Sequence, residues 1–249
     1  MELFKTIITK DWIYFWRYKV NAALSLLFSL FICVVLLYLP MLDSITKENG
    51  SIGIIAPYFM WLIMSSNFTI NQLISADSIT GVTEQLYVNT SDYLRLLLLR
   101  CFSSFLIGII PIVLFVIIIS LFARINLMGF VYAIPFMALG IPAVWGLSLV
   151  AGALVLRYKR VDTAVTVIGT VLFAGVAYFS SRNVVFSIMM PFAYASRISS
   201  AIIRETASCV TWSDFVIVML NSAFYLFVGI LCFRIAEKGA KRLGILGNH

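Results

Sequence analysis

Long apolar runs recur along the chain and dominate its pattern. Six of them approach or exceed the roughly 20 residues that a membrane-spanning helix needs. They cover, within a few residues, 20–39, 53–74, 96–122, 130–156, 164–179 and 215–233. Within each run the apolar residues are continuous and do not alternate with polar ones, as they would in the strands of a membrane β-barrel. The pattern predicts an all-α membrane protein with six transmembrane helices in a single domain, 20–249.

The residues before the first run form an amphipathic pattern at helical spacing. Over 1–19, the aromatic residues Phe4, Trp12 and Phe15 fall on one broad face, and lysines, threonines and an arginine fall on the other. Such a helix lies in a membrane interface, with its aromatic rings at headgroup depth. Asp11 falls within the apolar face and does not suit a purely lipid-facing helix. We therefore expect Asp11 to face another protein element, or the helix to be a plain membrane anchor with one misplaced charge.

A semi-polar stretch separates the fifth and sixth runs. Its apolar piece, from Val184 to Ala195, is broken by Pro191 and is too short to span a membrane. The stretch at about 184–200 therefore predicts a re-entrant or interfacial element before the sixth span.

Two of the predicted spans contain unusual residues. The second carries a polar inner half that includes Asn67 and Asn71, which either line a path or form hydrogen bonds across helices. The fourth carries two prolines and two glycines within twelve residues, a pattern that indicates an irregular segment. Those four residues are Pro135, Gly140, Pro142 and Gly146.

Composition narrows the class of protein. Of 249 residues, 62% are hydrophobic and only 12% are charged, against about 25% charged in an ordinary soluble domain. These values exclude a soluble globular protein and a disordered one. Thirteen of the 18 lysines and arginines fall on the side that holds both termini, and such residues are retained in the cytoplasm. We therefore expect cytoplasmic termini and interpret the net charge of +7 as topological anchoring, with no nucleic-acid partner.

Several kinds of chemistry are missing from the sequence. With Arg100 counted in the loop after the second span, the six apolar cores hold no charged group for ion coupling. No catalytic motif or phosphate-binding G-x-x-x-x-G-K-[ST] loop occurs. The four cysteines follow no metal-ligand spacing, and the one histidine is the last residue, His249. We predict that the chain is not an enzyme and holds no metal or cofactor of its own.

The most distinctive polar segment follows the second span, over about 77–95. Gly81 permits a turn there, the residues from Thr83 to Val88 suit a short helix, and Ser91 or Asp92 suits the cap of the next helix. The segment is either a well-capped connector or a docking element for a cytoplasmic partner.

This segment carries a family resemblance. Its sequence Gly81-Val-Thr-Glu-Gln-Leu-Tyr-Val-Asn-Thr-Ser resembles the coupling helix between spans two and three of ABC-2-type transporter permeases, with Gly81, Glu84, Gln85 and Leu86 matching. The basic tail after Phe233 and the Thr211-Trp-Ser-Asp opening of the sixth span are similar to that family too. So are the amphipathic N-terminal helix, the six spans and the broken element before the sixth.

The resemblance implies a bacterial exporter in the cytoplasmic membrane. Two six-span subunits, identical or paralogous, would form the membrane dimer, and separate ATPase subunits would bind ATP and Mg²⁺ below it. The ATPase would contact the coupling helix and the N-terminal interfacial helix. The implied contacts in the coupling helix are Gly81, Thr83, Glu84, Gln85 and Leu86. The implied substrate is amphipathic or lipophilic: a drug, an antibiotic peptide or a lipid.

Two other functions stay open at the level of sequence. One is a secondary transporter or channel, which the lack of intramembrane charge disfavours. The other is a membrane scaffold or sensor that transports nothing.

Overall fold

The described part of the chain is almost entirely helical. The computed structural model describes residues 2–38, 52–79, 86, 92–123, 127–158, 161–179, 184–205 and 210–242. Over these residues there are ten helices of six or more residues and no β-strand, which confirms the all-α class. In chain order they are α1 (Glu2–Arg17), α2 (Lys19–Tyr38), α3 (Ile52–Asn67), α4 (Ile70–Ile79), α5 (Tyr93–Ala123), α6 (Leu127–Tyr158), α7 (Asp162–Phe179), α8 (Val184–Met189), α9 (Ala193–Glu205) and α10 (Trp212–Arg242).

Four of the described helices are long and apolar enough to cross a membrane. They are α2, α5, α6 and α10, and α7 contains a shorter apolar stretch over Thr163–Tyr178. Most large apolar side chains of α2 point outward, as expected of a helix that meets lipid on most of its surface. The chain is therefore a multi-pass membrane protein.

The second predicted span is not one helix. The prediction of a continuous segment over 53–74 is wrong, because α3 ends at Asn67 and α4 begins at Ile70. The backbone amide of Ile70 donates a hydrogen bond to Ser148 Oγ in α6, at 2.8 Å. The first amides of a helix lack partners within that helix, so the Ser148 hydroxyl stabilises the start of α4 inside the bundle.

The fourth predicted span is a single helix. The helix α6 is continuous through Pro135 and Pro142, so the predicted irregularity does not break the helix, and a bend at the prolines stays a prediction. Neighbouring helices in a membrane bundle can accommodate the backbone groups that a proline leaves unpaired. The glycines of this span instead allow close packing: a Cβ at Gly140 would lie 2.6 Å from the Cβ of Ala195 in α9.

The closest helix contact joins α6 to α10. A Cβ built at Gly146 would lie 2.2 Å from the carbonyl oxygen of Tyr225, and one at Gly229 would lie 2.3 Å from the carbonyl oxygen of Gly146. Small residues let two backbones approach in this way in membrane bundles. The two glycines therefore set the crossing point of α6 and α10.

The stretch before α10 folds as two helices, α8 and α9, that meet at a turn. Pro191 lies in this turn, where it has no amide to donate to a continuing helix. The next residue, Phe192, has a φ of 63°, a left-handed conformation that is unfavourable for a side chain of this size. Its ring is fully buried and packs against Gly140 of α6, so tertiary packing holds the turn.

Two clusters of buried apolar side chains fill the bundle. The α9-end cluster lies where α9 packs against α3 and α6, and the α1-end cluster lies where α4, α5, α6 and α10 converge. Ile7 of α1 and Leu86 pack against the α1-end cluster. The large, fully buried members are Ile55, Met60, Met64, Phe115, Ile141, Phe173 and Phe192 of the first, and Ile70, Ile74, Tyr93, Leu97 and Phe233 of the second.

Candidate functional site

The predicted docking segment follows α4 and precedes α5. Four of its implied contact residues, Gly81, Thr83, Glu84 and Gln85, lie outside the described residues. Leu86 is described: its side chain is half-buried and packs against the α1-end cluster. The structure thus places the middle of the segment against the end of the bundle where α4, α5, α6 and α10 meet.

A compact polar cluster joins the two helices that flank this segment. Asp77 lies in the last turns of α4, and its Oδ2 is 2.7 Å from Nη1 of Arg100 in α5. The hydroxyl of Tyr93, the first residue of α5, donates to the same oxygen at 3.2 Å. One carboxylate oxygen therefore holds α4 and α5 together on either side of the segment.

This ion pair is largely removed from solvent by the protein. The side chains of Arg100 and Asp77 are only 16% and 15% exposed. At the effective dielectric constant of a protein surface, two such charges attract by about 4 kcal/mol before their desolvation is subtracted. Removing one partner of a buried pair strands the other charge, which costs about 3–5 kcal/mol. The pair is therefore a specific tie between α4 and α5.

Sequence reasoning missed this cluster. It counted Arg100 among loop residues that mark the cytoplasmic side, whereas the structure places Arg100 within α5 against Asp77. The sequence does contain one indication of the cluster: an acidic residue, Asp77, and a basic residue, Arg100, lie in the two helices on either side of one polar segment.

The N-terminal helix docks on the same part of α5. Ser103 Oγ donates to Oδ2 of Asp11 at 2.6 Å, and the rings of Phe4 and Phe102 lie 5.8 Å apart. Asp11 thus faces another helix of the chain, which explains its position on the apolar face of α1. The predicted interfacial residues divide into two groups: Phe4 and Asp11 contact α5, while Trp12 is 45% exposed and stacks on the half-buried Phe15.

The two asparagines of the second predicted span flank the break between α3 and α4. Asn71 is fully buried, and its Nδ2 donates to Thr166 Oγ1 of α7 at 2.8 Å. Asn67 donates to the carbonyl of Ile63 within its own helix at 2.9 Å. The structure therefore shows a cross-helix hydrogen bond at Asn71, and the path-lining role of both residues stays a prediction.

A second polar cluster ties α9 to the start of α10. The buried hydroxyl of Tyr194 donates to Asp214 Oδ1 at 2.7 Å. Asp214 Oδ2 accepts hydrogen bonds from the amide and the hydroxyl of Thr211, at 2.8 and 2.7 Å. The contacts of Asp214 Oδ2 with Thr211 are those of a capping box, in which the side chain of the third residue of a helix bonds back to the residue that precedes the helix. The Thr211-Trp-Ser-Asp motif therefore caps α10 and fixes α9 with the same carboxylate.

An apolar cavity of about 220 Å³ lies between α3, α5 and α6. Every side chain that lines it is aliphatic, aromatic or methionine. Such a space suits a lipid chain or a flat apolar ring system and offers no group that could hold a free ion. Representative lining residues are Phe59, Phe105, Ile112, Phe130 and Met137.

Comparison with known families identifies the chain at the family level. The family model described as "CcmB protein" matches residues 2–218. No curated protein and no solved structure matches the chain. The match confirms the predicted class of ABC transporter permease, with ATP hydrolysis on a separate subunit and not on this chain. The chain belongs to the CcmB family, the membrane permease components of ABC-type systems.

Proposed function

We propose that this chain is the transmembrane subunit of an ABC exporter in a bacterial cytoplasmic membrane. The family match carries this proposal, because it spans nearly the whole chain. The physical argument agrees with it: Arg100 is the one charged residue within the six predicted runs and it is paired with Asp77, so the runs present no unpaired charge for ion coupling and the energy for transport would come from a partner. Two such subunits and two ATPase subunits would form the complex, with ATP and Mg²⁺ bound by the ATPases.

The proposed topology has six spans of the ABC-2 type. The spans are α2, the broken pair α3 and α4, α5, α6, α7 and α10. Both termini lie in the cytoplasm, because most lysines and arginines flank that side. Under this topology the α1-end cluster faces the cytoplasm, and α8 and α9 enter the bundle from the outside and return.

The proposed substrate is amphipathic or lipophilic, and heme is the specific candidate. The CcmB family belongs to ABC-type heme exporters, and heme combines a flat apolar ring with two carboxylates. The apolar cavity between α3, α5 and α6 would suit the ring or chain of such a substrate, and its lining offers no partner for carboxylates. A drug, an antibiotic peptide or a lipid would share the same requirement for an apolar surface.

The proposed ATPase contacts are Gly81, Thr83, Glu84, Gln85 and Leu86, together with α1. Leu86 supports this assignment, because it connects the segment to the α1-end cluster. Phe4 and Asp11 support it as well, since they fix α1 to the helix that follows the segment.

The test is reconstitution of the chain with its ATPase in proteoliposomes. We expect ATP-dependent movement of heme that a proton ionophore leaves unchanged. Loss of transport with the ionophore while ATP remains would instead indicate a secondary transporter. If no ATPase accompanies the chain from its native membrane, the assignment as an ABC permease fails.

The contact residues have their own test. Glu84→Lys should weaken co-purification of the ATPase without loss of the folded chain, because the charge is reversed outside the bilayer. Glu48→Lys is the matched control, since it makes the same change in the loop proposed for the opposite side. Equal ATPase binding by the two variants would refute the assigned contact.

A further inference from the structure

The polar cluster beside the docking segment suggests how movement would enter the bundle. Asp77 and Arg100 join α4 to α5 across residues 80–92, and Tyr93 adds a hydrogen bond to the same carboxylate. The helix before the docking segment and the helix after it are thus joined directly to each other, so a displacement of either one is resisted by the other.

The cluster continues into a third helix. The ring of Tyr93 is fully buried and lies 6.4 Å from the ring of Phe233 in α10. The same helix α10 crosses α6 at Gly146 and Gly229 with almost no free space. Tyr93 therefore packs directly on α10, about one turn of helix from the point where α10 crosses α6.

The next turn of α5 contacts α1 through a hydrogen bond. Ser103 lies one turn beyond Arg100 and donates to Asp11. The first three turns of α5 thus carry two acidic side chains from two different helices, Asp77 through Arg100 and Asp11 through Ser103. This stretch of α5 therefore makes polar contacts with both α4 and α1.

We infer that Asp77, Arg100 and Tyr93 form a coupling clamp that makes α4 and α5 move as one body, so that force applied to the segment between them reaches α10. The inference rests on the proposed function, because it assigns these positioning residues to ATP-driven transport. Weakening the clamp should uncouple the complex: ATP is still hydrolysed, but less substrate moves for each ATP.

The first experiment uses the complex reconstituted with its ATPase subunits. It compares variants that remove one charge of the ion pair with a variant that exchanges the two charges. Asp77→Asn and Arg100→Gln should each retain ATPase subunits and hydrolyse ATP within twofold of the wild type, while transport per ATP falls at least fivefold. The charge reversal, Asp77→Arg with Arg100→Asp, should restore at least half of the lost coupling. The exposed residue Arg157, in the last turn of α6 and outside the docking segment, gives a matched control, and Arg157→Gln should leave coupling unchanged.

The second experiment replaces the ion pair by a covalent bridge. In a chain without its native cysteines, the pair Asp77→Cys and Arg100→Cys should be uncoupled when reduced. A cleavable bifunctional thiol reagent of salt-bridge length should raise transport per ATP at least threefold, and cleavage of the reagent should reverse the gain. A role confined to folding predicts no such gain, because the folded protein is already present before the reagent is added.

These results separate the clamp from the proposed function. If the wild-type complex shows no ATP-dependent transport, the proposed function fails. If the wild type transports and Arg100→Gln transports equally well per ATP, the clamp is refuted. A bridge that lowers transport also refutes it, because α4 and α5 would then have to separate during the cycle. Loss of ATPase binding in the single variants that the charge reversal does not restore assigns the cluster to docking or folding and overturns the inference.

Discussion

The crossing of α6 and α10 gives the sharpest prediction about stability. The perturbation is Gly146→Ala, the addition of one methyl group. That methyl carbon would lie 2.2 Å from the carbonyl oxygen of Tyr225, 2.5 Å from its carbonyl carbon and 2.7 Å from the amide nitrogen of Leu226. All three are backbone atoms, so no side-chain rotation relieves the overlap. The two helices must therefore move apart by about 1 Å at this point, because overpacking in a dense interior forces backbone shifts.

The expected magnitude follows from two opposing terms. Overpacking of a close contact costs typically about 1–3 kcal/mol. Alanine stabilises a helix relative to glycine by roughly 1 kcal/mol. The gain in helix propensity is the same for any glycine-to-alanine change within a helix. Gly108 in α5 and Gly175 in α7 isolate it, because no described atom lies within 4 Å of a Cβ at either position.

The assay is thermal unfolding of purified protein in detergent, followed with a thiol-reactive dye. Cys33 and Cys101 are buried, so in a background with Cys209 and Cys232 replaced by serine the dye reports loss of the folded state. We expect Gly146→Ala to unfold on the order of 5 °C below Gly108→Ala and Gly175→Ala. Equal unfolding temperatures for the three variants would refute the tight crossing, since the packing cost is the only term that differs among them.

Three further predictions concern polar contacts between helices. Ser148→Ala removes the acceptor of the first amide of α4 and should cost about 1–3 kcal/mol, measured by the same thermal assay; Ser66→Ala, at an exposed hydroxyl, is the control. Asn71→Ala and Thr166→Val, combined in a double-mutant cycle, should show a coupling energy of about 0.6 kcal/mol, and a value of zero would contradict the hydrogen bond. Asp11→Ala should release α1 and speed its cleavage by a protease in detergent; an unchanged cleavage rate would show that apolar contacts alone hold α1.

The break between α3 and α4 shows what the sequence leaves undetermined. A window of hydrophobicity treats 53–74 as one span, because a break of two residues barely changes the average. The partner that stabilises the break, Ser148, lies 78 residues further along the chain. No local pattern contains that information, since a free amide inside a membrane is tolerated only where the rest of the fold supplies an acceptor.

The fourth predicted span was expected to be irregular, whereas the structure shows one continuous helix. Proline and glycine are the strongest local signals of a helix break, and four of them in twelve residues favoured an irregular segment. The two glycines instead accept close neighbours, Ala195 at Gly140 and Tyr225 at Gly146. The sequence reports that a side chain is missing at these positions, but only the fold shows that a neighbouring backbone occupies the space.

The candidate site, too, was only partly predictable from the sequence. The polar segment after α4 is recognisable because its composition contrasts with the apolar runs around it. The contact between Asp77 and Arg100 is not recognisable from the sequence, because a charge near the end of a span is as typical of a membrane anchor as of an ion pair between helices. Asp11 is an instructive exception: a single charge on an otherwise apolar face is costly in lipid, and this cost correctly indicated a protein neighbour.

The positions of the acidic side chains also bear on how such a protein receives energy. Among those that the structure describes, Asp11, Asp77 and Asp214 each accept hydrogen bonds from a neighbouring helix. A carboxylate that couples transport to an ion must change its protonation or its ligands during the cycle, whereas a carboxylate held by specific partners stabilises one arrangement of helices. Two of the three lie at the α1 end, on either side of the first turns of α5, and the third fixes α9 to α10. These three carboxylates therefore each hold two helices together, as expected of a membrane subunit whose energy comes from a separate ATPase.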